Sequence, residues 1–209
     1  MLVALSQRTC EEQRYKERRD CLDQEWGRLL GRLGCQMIAL PNSATDPLAL
    51  LDRLQPDALI LTGGSDPLPE SAPDAERNRL EGTMLSWAER HGRSVVGICR
   101  GMQAINQRLG GRVRPVNGHV AASHKVSTAS GASLLVNSFH DFGIGRADLA
   151  SELEPLLWGS DDTVEAASHS ARPITCLMWH PERTIAEPER QQAILKAILS
   201  GQPLKAALA

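Results

Sequence analysis

The fold is decided by the stretch "SVVGICRGMQAINQRLGG", residues 94 to 111. An apolar run reaches Gly97, a cysteine follows at position 99, and Gly101 precedes a segment with helical periodicity. A short apolar run bounded by glycine favours a buried strand. The stretch therefore predicts a strand that turns sharply into a helix, with Cys99 at the junction.

The same alternation of apolar runs and helical patterns extends through the first half of the chain. Strands are predicted over residues 2–6, 36–40 and 57–64, and helices from about Asp20 to Leu33 and over residues 74–92, each helix closed by a glycine. Strands and helices that alternate in this way predict a three-layer α/β/α fold with a mostly parallel central sheet.

The second half is less regular. Strands are predicted in "GHVAASHKV", "ASLLVNSFHDFGI", "TVEAASH" and "ITCLMWHPE", followed by a closing amphipathic helix in "PERQQAILKAILSG". No internal repeat, low-complexity tract or linker marks a boundary. We therefore expect one domain over residues 1–209.

Composition excludes several classes of protein. The 209 residues carry a formal charge of −2, which argues against a general nucleic-acid binder. No apolar stretch is long enough to cross a membrane or to act as a signal peptide. Five widely spaced cysteines without a C-x-x-C pair predict reduced thiols in a cytoplasmic protein. The oligomeric state is not indicated by any pattern.

The segment Gly97-Ile98-Cys99-Arg100-Gly101 has the form of a nucleophile elbow. In such an elbow the flanking glycines allow a tight turn that exposes the central side chain. The start of the following helix favours a thiolate, and the backbone N–H after the nucleophile points towards a bound carbonyl. The alternative is a buried structural cysteine between incidental glycines.

Two further strand ends offer the partners that a cysteine nucleophile needs. In "MWHPE", His180 is a candidate base and Glu182 a candidate to orient it; the alternative is a surface histidine followed by a helix-capping glutamate. Gly63 and Gly64 end another strand, where a bare backbone N–H would stabilise an oxyanion. Their alternative is an ordinary turn.

Together these motifs resemble the class I glutamine amidotransferase superfamily, with its flavodoxin-like core, and within it the gamma-glutamyl hydrolases of the peptidase C26 type. The resemblance rests on "LTGGSDPLP", "GICRGMQAINQRLGG", "VNSFHDFGI" and "MWHPE". It implies a catalytic triad of Cys99, His180 and Glu182, and a gamma-glutamyl substrate. It also implies oxyanion and substrate contacts from the following residues: Gly63, Gly64, Arg100, Gln103, Ser138, Phe139 and His140.

A catalytic metal is the competing interpretation of the histidines and the central cysteine. The candidate ligands are His119, His124, His140, Cys99 and His180. Their spacing fits none of the usual zinc patterns. We therefore expect neither a metal nor an organic cofactor in catalysis.

The segment after the first strand concentrates positive charge in an otherwise slightly acidic chain. It contains Arg8, Arg14, Lys16, Arg18 and Arg19. A loop here would lie at the same sheet edge as Cys99, and forked guanidinium groups suit a diphosphate. The alternative is a solvated basic turn.

The pattern "QR" followed by "YKERRDCLDQEW" resembles the N-terminal region of hydrolases in this group that act on gamma-glutamyl-CDP-amidate. That resemblance implies a nucleotide-linked small-molecule substrate, with Arg8, Arg14, Arg18 and Arg19 as candidate contacts to the leaving diphosphate. It further implies a role in the phosphoramidate modification of bacterial capsular or surface polysaccharides.

We therefore predict hydrolysis of gamma-glutamyl-CDP-amidate to glutamate and cytidine diphosphoramidate through a glutamyl-thioester. Two alternatives stay open. One is a hydrolase of gamma-glutamyl-gamma-aminobutyrate or a related amine, and the other is a glutaminase subunit or binding module that works through a partner synthetase.

Overall fold

A computed structural model describes residues 1–65 and 74–208. The motif "LTGGSDPLP" spans residues 61–69 and is described as far as Ser65. Its residues 66–69 lie outside the described residues. The strands, in chain order, are β1 Leu2–Leu5, β2 Arg8–Glu12, β3 Glu17–Cys21, β4 Gln36–Ala39, β5 Ala58–Leu61, β6 Ser94–Ile98, β7 Arg114–Pro115, β8 Val120–Ser127, β9 Ser133–Phe139, β10 Phe142–Gly143, β11 Leu153–Trp158, β12 Val164–His169 and β13 Ile174–Leu177. The helices are α1 Gln24–Arg32, α2 Pro47–Leu54, α3 Ala75–His91, α4 Arg100–Arg108, α5 Pro188–Leu199 and α6 Leu204–Ala207.

Nine strands form the central sheet in the order β4-β1-β5-β6-β13-β12-β11-β8-β9. The first five are parallel to one another, and each of the remaining four runs antiparallel to the strand before it. The hairpin of β2 and β3 and the short pair of β7 and β10 lie outside this sheet. The predicted mostly parallel sheet is confirmed on the side that carries Cys99.

Helices cover both faces of the parallel strands because successive side chains of those strands point in opposite directions. On one face α1 and α5 bury Leu29, Leu30 and Ile198 against Val96 and Ile98. On the other face α2, α3 and α4 pack their apolar residues around the remaining side chains of β5 and β6. The strands β5, β6 and β13 are buried along their whole length, which explains their continuous apolar sequences. The layers are those of the predicted three-layer α/β/α fold.

Helix α1 begins later than its sequence pattern predicted. Residues 17–21 pair with β2 instead of joining the helix, and the carboxylate of Asp20 accepts hydrogen bonds from the backbone and side-chain N–H groups of Asn42, at 2.8 and 2.7 Å. The helix starts after Asp23, whose side chain accepts the N–H of Glu25 at 3.0 Å. The arginine-rich segment is therefore a β-hairpin and not a loop.

The prediction that all five cysteines are reduced is wrong for two of them. Cys10 and Cys21 form a disulfide across the hairpin of β2 and β3, with Cα atoms 6.4 Å apart. Pairing of the two strands brings these cysteines within reach of each other, although eleven positions separate them in sequence. Cys35, Cys99 and Cys176 are free thiols.

No helix among the described residues is long and apolar enough to cross a membrane.

The packing of α5 gives a direct test of the fold. Ile198 is buried against the sheet, so Ile198→Ala should lower the free energy of unfolding by about 2 to 5 kcal/mol through lost apolar burial and the cavity left behind. Lys196→Ala, at an exposed position of the same helix, should change it by less than about 0.5 kcal/mol. Chemical denaturation measures both values. Equal losses in the two variants would contradict the assigned face of α5.

Candidate functional site

The parallel strands end together at one edge of the sheet. Leu61 at the end of β5 pairs with Gly97, and Leu177 at the end of β13 pairs with Ile98. The chain that follows each strand therefore leaves the sheet at the same level. This strand register brings Gly63, Cys99 and His180 together at the carboxyl edge of the sheet.

Cys99 occupies a sharp turn between β6 and α4. Its φ of 50° and ψ of −107° lie in a region that side-chain-bearing residues rarely adopt. The turn needs glycine on both sides: a Cβ on Gly101 would stand 2.1 Å from the carbonyl oxygen of Leu61, and one on Gly97 would stand 2.9 Å from the carbonyl carbon of Gly101. The geometry is that of a nucleophile elbow, with the thiol at the start of a helix.

The imidazole of His180 lies between Cys99 and Glu182. Its Nδ1 is 2.7 Å from Oε1 of Glu182, and both side chains are almost completely buried. Burial lowers the pKa of His180, but the hydrogen bonds with Cys99 and Glu182 and the charge of Glu182 outweigh it and raise the pKa to about 9. The ring is therefore held as an imidazolium next to the thiol.

Asn137 fixes the backbone around His180. Its side-chain amide donates to the carbonyl oxygens of His180 and Thr184, at 2.9 and 3.0 Å, and its Oδ1 accepts the N–H of His180 at 2.8 Å. Sequence reasoning missed this residue, although it belongs to the "VNSFHDFGI" motif. The available signal was an asparagine inside a predicted strand, next to Ser138.

Gly63 and Gly64 allow a close approach that any larger residue would block. A Cβ on Gly63 would lie 2.5 Å from Cε1 of His180 and 3.4 Å from Cβ of Cys99. Gly64 has a φ of +84°, and its Cβ would lie 2.8 Å from Cδ of Arg8. The turn after β5 thus lies against both the imidazole of His180 and the side chain of Cys99.

A buried ionic network stabilises the glycine turn after β5. Glu81 accepts hydrogen bonds from Ser6 Oγ and Arg77 Nε, both at 2.8 Å, and pairs with the side chain of Arg100. Arg77 also donates to the carbonyl oxygen of Gly64 at 2.7 Å. Burial raises the pKa of Glu81, but the two guanidinium groups outweigh it and the net shift is downward. The carboxylate therefore stays charged and holds α3, α4 and the glycine turn together.

Two cavities open on either side of this centre. The first, which we call the cysteine-side cavity, has a volume of about 210 Å³ and is lined by Gly64, Ser65, Cys99, Arg100, Gln103, Phe139, His140, Asp141 and Phe142. The second, the arginine-side cavity, has a volume of about 300 Å³ and is lined by Arg8, Cys21, Leu22, Asp23, Trp26, Thr62, Gly63, Gly64, His180, Glu182 and Arg183. A substrate whose scissile bond lies at Cys99 could therefore place one of its two parts in each cavity.

The residues proposed to hold the glutamyl group fall into two sets. Gln103, Phe139 and His140 line the cysteine-side cavity, and the amide of Gln103 donates to the carbonyl oxygen of Phe142 at 2.7 Å. Ser138 does not line it: its buried hydroxyl donates to the carbonyl oxygen of His119 at 2.7 Å. The hydroxyl of Ser138 is thus used inside the protein.

Of the four arginines predicted to contact a leaving group, the structure brings one to the centre. Arg8 lines the arginine-side cavity next to Gly64. Arg14 packs over the ring of Tyr15, Arg18 lies 3.4 Å from Glu76, and Arg19 pairs with Glu17. These three are absent from the lining of both cavities because the hairpin directs them elsewhere.

Arg183 supplies a second guanidinium group to the arginine-side cavity, and sequence reasoning missed it. It stacks over Phe139 at 4.5 Å, and its Nε lies 3.9 Å from carboxylate oxygens of Asp23 and Glu182. Its position directly after the "HPE" motif was the available signal. Arg8 and Arg183 together make this cavity a candidate anion site.

Comparison with known proteins identifies the family to which the chain belongs. Residues 20–198 match the family model for class-I glutamine amidotransferases. A gamma-glutamyl-CDP-amidate hydrolase from Campylobacter jejuni is 31% identical over 187 residues, which cover 88% of this chain and 90% of the relative. The carbamoyl phosphate synthase small chain from Aquifex aeolicus is 26% identical over 72% of this chain, but that match covers 39% of the relative.

A solved structure agrees with the fold. A glutamine amidotransferase from Thermotoga maritima superposes with a TM-score of 0.67 at 15% identity, covering 100% of this chain and 97% of the other. The match to the family model spans most of the chain, including the elbow and the "HPE" motif. The chain therefore belongs to the class-I glutamine amidotransferase family and is an enzyme of that family.

Proposed function

We propose that the protein hydrolyses a gamma-glutamyl amide whose leaving group is nucleotide-linked, with gamma-glutamyl-CDP-amidate as the substrate and glutamate and cytidine diphosphoramidate as the products. The observation that carries the proposal is the line of Cys99, His180 and Glu182 between a small cavity and a second cavity that holds two arginines. The named relative at 31% identity supports the same substrate. Use of the product in phosphoramidate modification of surface polysaccharides belongs to this proposal.

In the first half of the reaction, the Cys99 thiolate attacks the gamma-carbonyl carbon, and the backbone N–H groups of Gly64 and Arg100 stabilise the oxyanion. The C–N bond then breaks, and the His180 imidazolium gives its proton to the departing nitrogen. Glu182 keeps the imidazole oriented and balances its charge. The products of this half are a glutamyl-thioester on Cys99 and the free phosphoramidate.

In the second half, a water molecule attacks the thioester carbonyl. Neutral His180 takes a proton from that water, the C–S bond breaks, and glutamate leaves. The thiolate and imidazolium pair is thereby restored. The steps described use only side chains and backbone groups of this chain together with water.

The two cavities divide the substrate between them in this proposal. The glutamyl group occupies the cysteine-side cavity, where Gln103, Phe139 and His140 form the wall. The diphosphate of the leaving group occupies the arginine-side cavity, next to Arg8 and Arg183. Among the described residues, the Arg8 guanidinium makes no ion pair with a carboxylate, so its charge is available to a phosphate.

A second candidate is a glutaminase that passes ammonia to a synthetase. Its support is the relative named as a carbamoyl phosphate synthase small chain. A glutaminase of this kind would release glutamate from glutamine slowly by itself and faster when its synthetase is added. Rapid release from gamma-glutamyl-CDP-amidate by the isolated chain, without such a partner, would decide for the hydrolase.

The role of Cys99 is tested by glutamate release from gamma-glutamyl-CDP-amidate. Cys99→Ala should lower kcat by at least about a thousandfold, since it removes the nucleophile. Cys35→Ala, which removes a free thiol outside both cavities, should keep the activity of the unmodified protein. Turnover by Cys99→Ala at the rate of the Cys35→Ala control would rule out the mechanism.

The pH dependence follows from the raised pKa of His180. Its imidazolium must be protonated to release the nitrogen, so kcat/KM should fall as the pH rises through about 9. Glu182→Gln removes the carboxylate that raises this pKa, so the alkaline limb should move to lower pH. Glu189→Gln, at an exposed position in α5, should leave the limb in place. A profile of Glu182→Gln that coincides with that of the control would contradict the role of Glu182.

The leaving-group site is tested by comparing two substrates. Arg8→Ala should raise KM for gamma-glutamyl-CDP-amidate by about 10- to 100-fold, because one charge-assisted hydrogen bond is lost. It should change KM for gamma-glutamyl-gamma-aminobutyrate, which has no phosphate, by less than about threefold. Arg14→Ala, on the same hairpin but outside the cavity, is the matched control. Equal effects of Arg8→Ala on the two substrates would exclude a diphosphate site at Arg8.

A further inference from the structure

A cluster of histidines surrounds a buried carboxylate outside the thiol and imidazole pair. His119 stands just before β8, His124 lies within β8, and Glu165 lies within β12. One potential ligand atom from each of these three residues lies within 4.8 Å of the others. His140, which follows β9, approaches the same carboxylate, with its Nε2 3.8 Å from Oε1 of Glu165.

Two of the separations between these atoms are close to those between ligands of one metal ion. His119 Nδ1 lies 3.7 Å from Glu165 Oε1, and His124 Nε2 lies 3.4 Å from Glu165 Oε2. Tetrahedral zinc, with metal–nitrogen distances of about 2.0 Å, sets its ligands about 3.3 Å apart. These two imidazole-to-carboxylate separations are therefore close to the spacing of a zinc site.

Several atoms in the cluster are buried without a hydrogen-bond partner among the described residues. They are His124 Nε2, His140 Nε2 and Glu165 Oε2. Buried polar atoms are nearly always satisfied, because leaving one without a partner is energetically costly. The three atoms lie around the Glu165 carboxylate, where a bound cation would satisfy them.

Outer hydrogen bonds orient two of the rings for metal binding. His119 Nε2 is 3.0 Å from Oδ2 of Asp161, and His140 Nδ1 is 2.9 Å from the carbonyl oxygen of Phe142. If each of these nitrogens carries the proton, the other ring nitrogen presents its lone pair to Glu165. A metal-bound histidine commonly donates its second N–H to a carboxylate or a carbonyl in this way.

We propose that His119, His124 and Glu165 form a binding site for a divalent cation of the zinc type, with His140 positioned to complete a four-ligand shell. Imidazole nitrogens and a carboxylate are a donor set that zinc accepts, whereas magnesium and calcium prefer oxygen alone.

The site has a structural role in this proposal. Zinc would join β8, β12 and the chain after β9, and that chain carries Phe139 and His140 into the wall of the cysteine-side cavity. Its ligands come from separate strands, and one of them is a glutamate. For that reason the sequence spacing of the histidines gave no indication of a metal.

A proton shared between His124 and Glu165, whose Nε2 and Oε2 atoms lie 3.4 Å apart, is the competing account, because the interaction with Glu165 raises the pKa of His124. The two accounts differ in whether the chain binds metal with a defined stoichiometry. Tag-free protein is stripped with a chelator and titrated with zinc in competition with a chromophoric chelator. We expect one zinc ion per chain, and at least about tenfold weaker binding by His124→Gln and by Glu165→Gln.

The matched control is His169→Gln, which alters a buried histidine that pairs with Glu152 at 3.2 Å, outside the cluster. This variant should bind zinc as the unmodified protein does. Circular dichroism checks that each variant is folded. Absence of stoichiometric zinc binding by the unmodified protein, or unchanged affinity in both cluster variants, would overturn the proposal.

Cobalt substitution of the unmodified protein gives a second measurement that does not depend on the variants. Alkylation of Cys99 before loading blocks binding at the thiol. We expect the alkylated protein to show the visible absorption of tetrahedral cobalt without a thiolate charge-transfer band. Loss of cobalt binding on alkylation would place the metal at Cys99 and contradict the proposed site.

Discussion

The buried carboxylate of Glu81 is the interaction on which the rest of the site depends. It lies between Arg77 and Arg100, and each guanidinium reaches a different part of the centre. Through Arg77 it holds the carbonyl oxygen of Gly64, and through Arg100 it holds the first residue of α4. Loss of one partner of a buried ion pair costs about 3 to 5 kcal/mol, because an uncompensated charge remains. The network therefore fixes the glycine turn relative to the elbow.

Next to this network, the geometry of the site depends on the close approach of glycine backbones to neighbouring atoms. Gly63 meets the ring of His180, and Gly101 meets the carbonyl oxygen of Leu61, at distances that exclude a side chain. The unusual backbone of Cys99 is held by packing on both sides. Such a turn is maintained only where its surroundings determine it. In our account the thiol, the imidazolium and the proposed oxyanion donors are consequently in place before substrate binds.

Sequence reasoning succeeded where a local pattern decides the structure. The buried runs of β5, β6 and β13 predicted parallel strands, and their ends predicted that Cys99 and His180 would meet. It failed where partners are distant in sequence. The carboxylate of Asp20 binds Asn42, which draws residues 17–21 into a hairpin and away from α1.

The same distinction between local patterns and distant partners explains which predictions about individual site residues succeeded. Arg8 reaches the arginine-side cavity because β2 starts there, whereas the turn of the hairpin carries Arg14 away. Asn137 and Arg183 act through contacts with His180 and Phe139 that no spacing in the sequence encodes. The histidine cluster around Glu165 likewise forms only when separate strands pair.

The central claim is that Cys99 carries the glutamyl group during the reaction. Rapid acid quenching of the protein with gamma-glutamyl-CDP-amidate, followed by peptide mass spectrometry, measures this directly. The account predicts a mass increase of one glutamyl group on the peptide that contains Cys99, and its loss when the quench is delayed until substrate is consumed. Glutamate release with no such adduct at any quench time, or an adduct on another residue, would contradict it.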